Sequence, residues 1–159
     1  MDAREDGPPP CGERFVLGSD HAGYELKEQV KRYLLENGNE VEDLVPECRQ
    51  RIDFPPVAEE TAAKVVRQAG SYGILVCGTG LGMCMAANKV CGVRAALLYC
   101  DTAAEYARRH NDANVLVFGG RTMSFGQARR YLEVFFAHRF EGGRYAERNE
   151  YIGRMEKRA

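Results

Sequence analysis

Cys77 and the glycines that follow it form the segment best suited to chemistry: Cys77-Gly78-Thr79-Gly80-Leu81-Gly82. The segment ends an apolar run and begins a helical pattern, so its backbone N–H groups are expected to bind an anion at the start of a helix. Glycine lets the backbone adopt a positive φ and approach a ligand closely. A tight turn without a ligand is the alternative, but one turn rarely needs so many glycines and a terminal cysteine. Because the amino end of a helix favours a thiolate, Cys77 is a candidate general base.

The spacing within this loop argues against two other kinds of site. A phosphatase-like cysteine loop would place an arginine six positions after the nucleophile, but that position is Met83, which excludes phosphate-ester chemistry. A dinucleotide fingerprint starting at Gly78 would need glycine or alanine at the same position. Asp101 ends the next predicted strand, where a nucleotide-binding fold would contact a ribose, so nucleotide binding stays open as an alternative.

Two of the three histidines stand beside other polar residues in predicted loops. Asp20-His21 ends the first predicted strand, and His110-Asn111 follows the helix after the fourth strand. A single loop histidine is ordinarily a surface residue, but the joint placement of this pair on or near the ligand-binding edge favours catalysis. His138 is expected near the end of a long helix, where it complements the helix dipole.

Three arginines are candidates for binding a phosphate group, because the guanidinium stays charged and matches phosphate oxygens. They are Arg121, Arg144 and Arg148. Arg144 and Arg148 are four positions apart and therefore share one helical face. A solvated basic face gives the same spacing, so the spacing does not decide between the two interpretations.

Alternating strands and helices must position these residues. Apolar runs predict strands over Phe15–Leu17, Val41–Leu44, Tyr72–Cys77, Val93–Tyr99 and Val115–Phe118. Amphipathic patterns predict helices over Tyr24–Asn37, after Pro55-Pro56 to near Gly70, Leu81–Lys89, Thr102–Arg109, Ser124–Arg139 and Arg144–Lys157. This order predicts a doubly wound α/β domain whose parallel sheet has about five strands. Ligands bind beyond the carboxyl ends of such strands, where the candidate loops are expected.

Composition limits the classes of protein. The chain has 159 residues, 45% of them hydrophobic, which favours one domain. Its net charge is −1, so no overall positive potential would attract nucleic acid or an anionic membrane. We expect a flexible extension over residues 1–13 and a single domain over 14–159 that ends in a helix. No apolar run is long enough for a bilayer and the start does not resemble a signal peptide, so a cytoplasmic protein is expected. The six cysteines are not expected to form a disulfide scaffold, because a chain of this length with this many core residues does not need one. They include no C-x-x-C pair and the chain has only three histidines, which disfavours structural zinc.

Four motifs, taken together and in order, resemble the ribose-5-phosphate isomerase type B family. They are Gly18-Ser-Asp-His-Ala-Gly23, the Cys77 loop with Ala86-Ala-Asn-Lys89, Arg109-His-Asn-Asp-x-Asn114, and Glu141-Gly-Gly-Arg-x-x-x-Arg148. The resemblance runs from about Arg14 to the end of the chain. It implies a Rossmann-like three-layer αβα sandwich and an enzyme without metal or cofactor. It also implies a homodimer or dimer of dimers with active sites at the subunit interface.

The implied reaction interconverts ribose 5-phosphate and ribulose 5-phosphate through an enediolate. In this resemblance Cys77 moves the proton between C1 and C2 of the sugar, with Thr79 beside it, and His110 helps to open the furanose ring. Sugar contacts fall to Asp20, His21, Thr79 and Asn111, and phosphate contacts to Arg121, Arg144 and Arg148, the arginines serving across the subunit boundary.

The chain departs from the family pattern at three positions. Some members use a glutamate where this chain has Met83, which cannot accept a proton, so Cys77 is the expected base. The family often has tyrosine at Phe54 and histidine at Tyr145. Isomerases of allose 6-phosphate or galactose 6-phosphate, and a noncatalytic nucleotide-binding module, remain alternative functions.

Overall fold

The computed structural model describes residues 10–48 and 50–156, in which five parallel strands form one sheet in the order β2-β1-β3-β5-β4. The strands are β1 (Arg14–Ser19), β2 (Glu40–Asp43), β3 (Ser71–Cys77), β4 (Ala95–Leu97) and β5 (Val115–Gly119). The helices of this part of the chain are α1 (Tyr24–Glu36), α2 (Phe54–Arg67), α3 (Leu81–Ala87), α4 (Asp101–Arg109), α5 (Phe125–Ala137) and α6 (Arg144–Glu156).

Helices cover both faces of the sheet. Buried side chains of α1, α4 and α5 form one apolar cluster, and those of α2 and α3 form the other. Phe15 and Leu17 belong to the first cluster while Val16 belongs to the second, because successive side chains of a strand point to opposite faces. The predicted three-layer α/β arrangement with a parallel five-stranded sheet is confirmed.

The strand order reverses next to β1, which pairs with β2 on one side and β3 on the other. The chain leaves β1 into α1 on one face and leaves β3 into α3 on the other face. Ligands bind at the carboxyl ends of two such neighbouring strands, where the connections diverge. The crevice therefore lies beyond Ser19 and Cys77, the last residues of β1 and β3.

Two differences from the predicted bounds have a clear physical reason. β4 has three residues, Ala95–Leu97, where seven were predicted. It is an edge strand, and the Asn88 side chain pairs with its first residue: Nδ2 donates to the Ala95 carbonyl at 2.9 Å and Oδ1 accepts from the Ala95 N–H at 2.8 Å. α2 begins at Phe54 and includes both prolines, because the first turn of a helix does not need their N–H groups.

The first nine residues of the predicted extension lie outside the described part of the chain. Its last residues contact the turn after α1, where the Gly12 N–H donates to the Gly38 carbonyl and the Glu13 N–H donates to Asn39 Oδ1, each at 3.1 Å. At the other end, α6 contains no buried residue, and Lys157 lies outside the described part. Of the described helices, none has the length and apolar character needed to cross a membrane.

Candidate active site

Three loops interlock at the carboxyl edge of the sheet: Asp20–Gly23 after β1, Gly78–Gly80 after β3, and Gly120–Arg121 after β5. The Gly120 N–H donates to the Cys77 carbonyl at 2.7 Å, and the Arg121 N–H donates to the Gly78 carbonyl at 2.9 Å. The Asp20 N–H donates to the Val76 carbonyl at 3.2 Å. These backbone contacts bring the predicted loops together around the crevice.

The Cys77 side chain lies at the base of this crevice. The residue is 5% exposed, and its Sγ accepts a hydrogen bond from the Gly80 N–H at 3.1 Å. Gly80 has a φ of +81°, and a β carbon there would come within 2.4 Å of Leu97 Cδ1. Only glycine therefore fits the turn that directs this N–H at the sulfur.

The rest of the glycine loop is packed from the side of α2. A β carbon at Gly82 would lie 2.8 Å from the Phe54 ring, so this ring covers the loop where α3 begins. Met83 follows and is fully buried in the cluster between α2, α3 and the sheet. Thr79 is exposed, and its Oγ1 accepts from the Leu81 N–H at 3.4 Å. The loop therefore presents Thr79 at the rim and Cys77 beneath it.

Asp20 and His21 form the β1 side of the crevice. Asp20 is 8% exposed, and its Oδ1 accepts from the N–H groups of Ala22 and Gly23 at 2.9 Å each. This carboxylate therefore fixes the turn into α1 as well as lining the crevice. His21 is exposed, and its Nδ1 lies 3.3 Å from the Ile52 carbonyl oxygen, which ties it to the loop before α2.

Arg121 brings a cation to the same edge. It is exposed, and its side chain lies over Gly78, where a β carbon would be 3.6 Å from Nη1. An open cavity of about 460 Å³ adjoins it on the side of α1, with His21, Cys48, Arg51 and Gly120 among its lining residues. Sequence reasoning did not single out Cys48 or Arg51, because the loop that carries them has no recognisable motif.

The other predicted residues lie at the opposite, amino edge of the sheet. α4 starts at the carboxyl end of β4 and carries the chain back by about 14 Å over its nine residues, so its C-cap residue His110 reaches the amino edge. There Arg94 Nε donates to the Asn111 carbonyl at 3.0 Å, next to the start of β4. The expectation that His110 shares the edge of His21 is wrong within one chain, because a helix that connects parallel strands runs antiparallel to them.

His110 is held between two aromatic rings. Its imidazole stacks on Tyr106 with ring centroids 4.4 Å apart and on Tyr145 with centroids 3.9 Å apart, at interplanar angles of 17° and 10°. The His110 Nε2 lies 3.9 Å from Glu141 Oε2, and Arg109 Nε donates to Glu141 Oε1 at 2.6 Å. Sequence reasoning missed this stack, although Tyr106 precedes His110 by four residues, the spacing of one helical face.

The two arginines of α6 adjoin the same stack. The guanidinium carbons of Arg144 and Arg148 lie 4.8 and 5.6 Å from the Tyr145 ring centroid. Arg144 Nη2 also donates to the Tyr145 hydroxyl at 2.8 Å, and this hydrogen bond raises the pKa of Arg144. The amino edge thus carries a histidine and two exposed cations, whereas the carboxyl edge carries the cysteine.

Two further findings concern His138 and metal binding. His138 is the C-cap residue of α5, where its Nδ1 lies 2.8 Å from the Val134 carbonyl oxygen, so it occupies the helix end that was predicted for it. Within the described ranges, no group of three or more His, Cys, Asp or Glu side chains is placed to hold a metal ion.

Comparisons with known proteins agree on one family. A sequence profile described as Ribose/Galactose Isomerase matches residues 15–152. Ribose-5-phosphate isomerase B of Escherichia coli (strain K12) is 37% identical over 145 residues, which are 91% of this chain and 97% of that protein. The solved structure of Clostridium thermocellum ribose-5-phosphate isomerase B gives a TM-score of 0.88 at 38% identity and covers 91% of this chain and 98% of that chain. The structure of ribose-5-phosphate isomerase B from Mycoplasma genitalium with bound ribulose-5-phosphate gives a TM-score of 0.87 at 37% identity, with 94% and 99% covered.

Proposed function

The chain belongs to the ribose/galactose isomerase family, and we propose that it interconverts ribose 5-phosphate and ribulose 5-phosphate with Cys77 as the base. Relatives named ribose-5-phosphate isomerase B, one of them solved with ribulose-5-phosphate, favour this reaction over the six-carbon and nucleotide-binding alternatives. The observation that carries the proposal is the hydrogen bond from the Gly80 N–H to Cys77 Sγ at the base of the crevice.

The carbon-bound proton passes through Cys77. The thiolate removes the proton from C2 of the open-chain aldose, and the electrons of that bond form the enediolate. The same proton returns to C1 while the hydroxyl proton of O2 moves to O1, which gives the ketose. N–H groups of the glycine loop stabilise the negative oxygen, a contribution of about 3–4 kcal/mol per donor in comparable sites.

The substrate phosphate and ring need residues from both edges of the fold. Arg121 is on the Cys77 edge, whereas His110, Arg144 and Arg148 are on the other. One chain cannot bring them to the same sugar, so a second copy supplies the amino-edge residues. An isologous pair with twofold symmetry completes two identical sites in this way. The assembly is therefore a homodimer, or a tetramer built from such dimers.

Exposed apolar side chains support this pairing. Six large apolar side chains on α3, on α6 and in the loop after β4 are each at least 44% exposed: Leu81, Met85, Tyr99, Tyr151, Ile152 and Met155. These elements border the two edges that must meet. Contact with a second copy would remove this apolar surface from water.

A direct assay tests the reaction. The purified full chain is expected to convert ribose 5-phosphate to ribulose 5-phosphate at an unchanged rate in EDTA, because no step uses a metal. Allose 6-phosphate and galactose 6-phosphate are assayed in parallel, and thermal shifts with NAD and ATP test nucleotide binding. Inactivity on the pentose phosphate with a shift in NAD would contradict the proposal, and loss of all activity in EDTA would contradict its metal-free chemistry.

A further inference from the structure

We propose that Tyr145 is a positioning residue that joins His110 and Arg144 into one rigid unit, its ring fixing the imidazole and its hydroxyl fixing the guanidinium. This inference rests on the proposed function, in which His110 opens the sugar ring and Arg144 binds the phosphate. Tyr145 opens no bond and binds no phosphate itself. It acts through its two neighbours.

The rings of Tyr106 and Tyr145 stack on the two faces of the His110 imidazole, an arrangement called the clamp below. His110 is the C-cap residue of α4, and its N–H donates to the Tyr106 carbonyl at 3.0 Å. Tyr106 covers one face of the imidazole and Tyr145 covers the other, with planes within 17° and 10° of parallel. Two parallel rings prevent the imidazole from turning about its χ2 torsion. They leave its edge open, and the His110 side chain keeps 26% of its surface exposed. The ring nitrogens are on that edge, where Glu141 Oε2 lies 3.9 Å from Nε2, too far for a hydrogen bond, so the clamp leaves Nε2 available to a substrate.

The hydroxyl of Tyr145 orders the Arg144 guanidinium, an effect separate from the ring stacking. Arg144 is an exposed side chain at the first position of α6, and long exposed arginines lose much rotational freedom when they bind an anion. The Tyr145 hydroxyl accepts one Nη2 hydrogen bond at 2.8 Å and so orders the guanidinium before any ligand arrives. The remaining N–H groups of the fork stay available for phosphate oxygens.

One side chain therefore sets the spacing between the ring-opening imidazole and the phosphate-binding guanidinium. The two effects can be separated by substitution. Tyr145→Phe keeps the stacked ring and removes only the hydroxyl. Tyr145→Leu removes both, while it keeps an apolar side chain of moderate size at a half-buried position.

The test uses the full-length dimeric enzyme and two substrates. For Tyr145→Phe, the KM for ribose 5-phosphate is expected to rise about three- to tenfold with kcat within about twofold of wild type, since one charge-assisted hydrogen bond is lost. For Tyr145→Leu, kcat on cyclic ribose 5-phosphate is expected to fall at least about tenfold, the scale of a misplaced catalytic group. Solvent deuterium exchange into acyclic ribulose 5-phosphate, which needs no ring opening, is expected to remain near the wild-type rate.

A second measurement, by NMR, detects the stacking on His110 without relying on catalysis. In the free enzyme, the His110 Cε1 proton is expected to resonate upfield because of the ring currents of Tyr106 and Tyr145. The upfield shift should be kept in Tyr145→Phe and should be clearly smaller in Tyr145→Leu, where only the Tyr106 ring remains. An unchanged resonance in Tyr145→Leu, or equal loss of rate on both substrates, would overturn the positioning role. His110→Ala is the reference for the proposed function: if it shows no selective loss on the cyclic sugar, the role of His110 fails, while the resonance still reports whether the clamp exists.

Discussion

The Sγ of Cys77 and the backbone N–H of Gly80 are 3.1 Å apart and joined by a hydrogen bond within one turn of chain. The last residue of β3 supplies the sulfur, and the residue before α3 supplies the donor. The carboxyl end of a buried strand and the amino end of a helix thereby act on the same atom. The contact fixes the position of the sulfur at the base of the crevice, where the proposed reaction needs a base.

Gly80→Ala tests whether this turn is needed. An added β carbon would meet Leu97 Cδ1 at 2.4 Å, and the φ of +81° is unfavourable for alanine, so the N–H is expected to move away from the sulfur. We expect kcat to fall about tenfold or more while the circular dichroism spectrum stays native. Gly126→Ala is the matched control, because a β carbon there would have only Ser124 Oγ within 4 Å, at 3.8 Å. Equal effects of the two substitutions would contradict the role of the turn.

Mixing two inactive variants tests the shared active site. Cys77→Ala and His110→Ala are each expected to be strongly impaired as homodimers. After subunit exchange in equal amounts, half of the dimers are mixed and each has one intact site, so about a quarter of wild-type activity should return. Cys77→Ala mixed with Arg121→Ala should recover none, since both substitutions affect the same edge. No recovery in the first mixture, or a fully active monomer in light scattering, would refute the two-chain site.

Arg144→Ala and Arg148→Ala test the phosphate assignment. In the proposed site each substitution removes charge-assisted hydrogen bonds to the substrate phosphate, so KM for ribose 5-phosphate is expected to rise about 10- to 100-fold. Arg154→Ala is the control, because it removes an exposed arginine of the same helix that lies over Tyr151 instead. Steady-state kinetics of the three variants measure KM. Unchanged KM in both test variants would remove these arginines from the phosphate site.

The carboxyl-edge half of the site was predictable because each of its parts depends on local sequence. An apolar run that ends in Cys77 and opens into glycines predicts a strand, a turn and a helix start, and parallel strands must end at one edge. Alternation of strand and helix patterns likewise predicted the layers of the fold. The direction of α4 could have been used in the same way, and it would have placed His110 at the amino edge.

The side chains that hold the site were not predictable from spacing. The stack on Tyr145 joins α4 to α6, and the Phe54 ring reaches Gly82 from another helix, contacts that depend on packing alone. Lys27 is a third case, since its place in α1 reads as an ordinary polar position. The structure buries it completely, with Nζ 2.7 Å from Asp43 Oδ2 and 2.6 Å from Glu28 Oε1. Tertiary context overrode its usual preference for solvent.

Asp43→Asn tests this buried ion pair. Burial by itself raises the pKa of Asp43, but hydrogen bonds from Lys27 and Lys31 outweigh it and leave the pKa below its usual value. A lowered folded-state pKa gives stability that is present above the unfolded-state pKa of about 3.9 and is lost as pH falls through the folded-state value. The substitution leaves Lys27 buried with one carboxylate fewer, which should cost about 3 kcal/mol at pH ~7.

Urea unfolding at fixed protein concentration measures the effect, and the difference from wild type should shrink at pH values below the usual aspartate range, where wild type loses the same interaction. Glu40→Gln, which removes the exposed ion pair with Arg14, is the control and should cost at most about 1 kcal/mol. A difference for Asp43→Asn that is independent of pH would contradict the electrostatic origin.

Cys77 is the proposed base, and the exchange of the C1 proton of ribulose 5-phosphate for solvent deuterium, followed by NMR, tests this role without the ring-opening step. Cys77→Ala is expected to bind the substrate and lose about 10²–10⁴-fold in exchange rate, the contribution of a general base. Cys84→Ala is the matched control on α3 and should exchange normally, because burial raises the pKa of the Cys84 thiol and keeps it protonated. His110→Ala should retain most of its exchange, since the ketose has no ring to open. Exchange by Cys77→Ala at the wild-type rate would exclude Cys77 as the base.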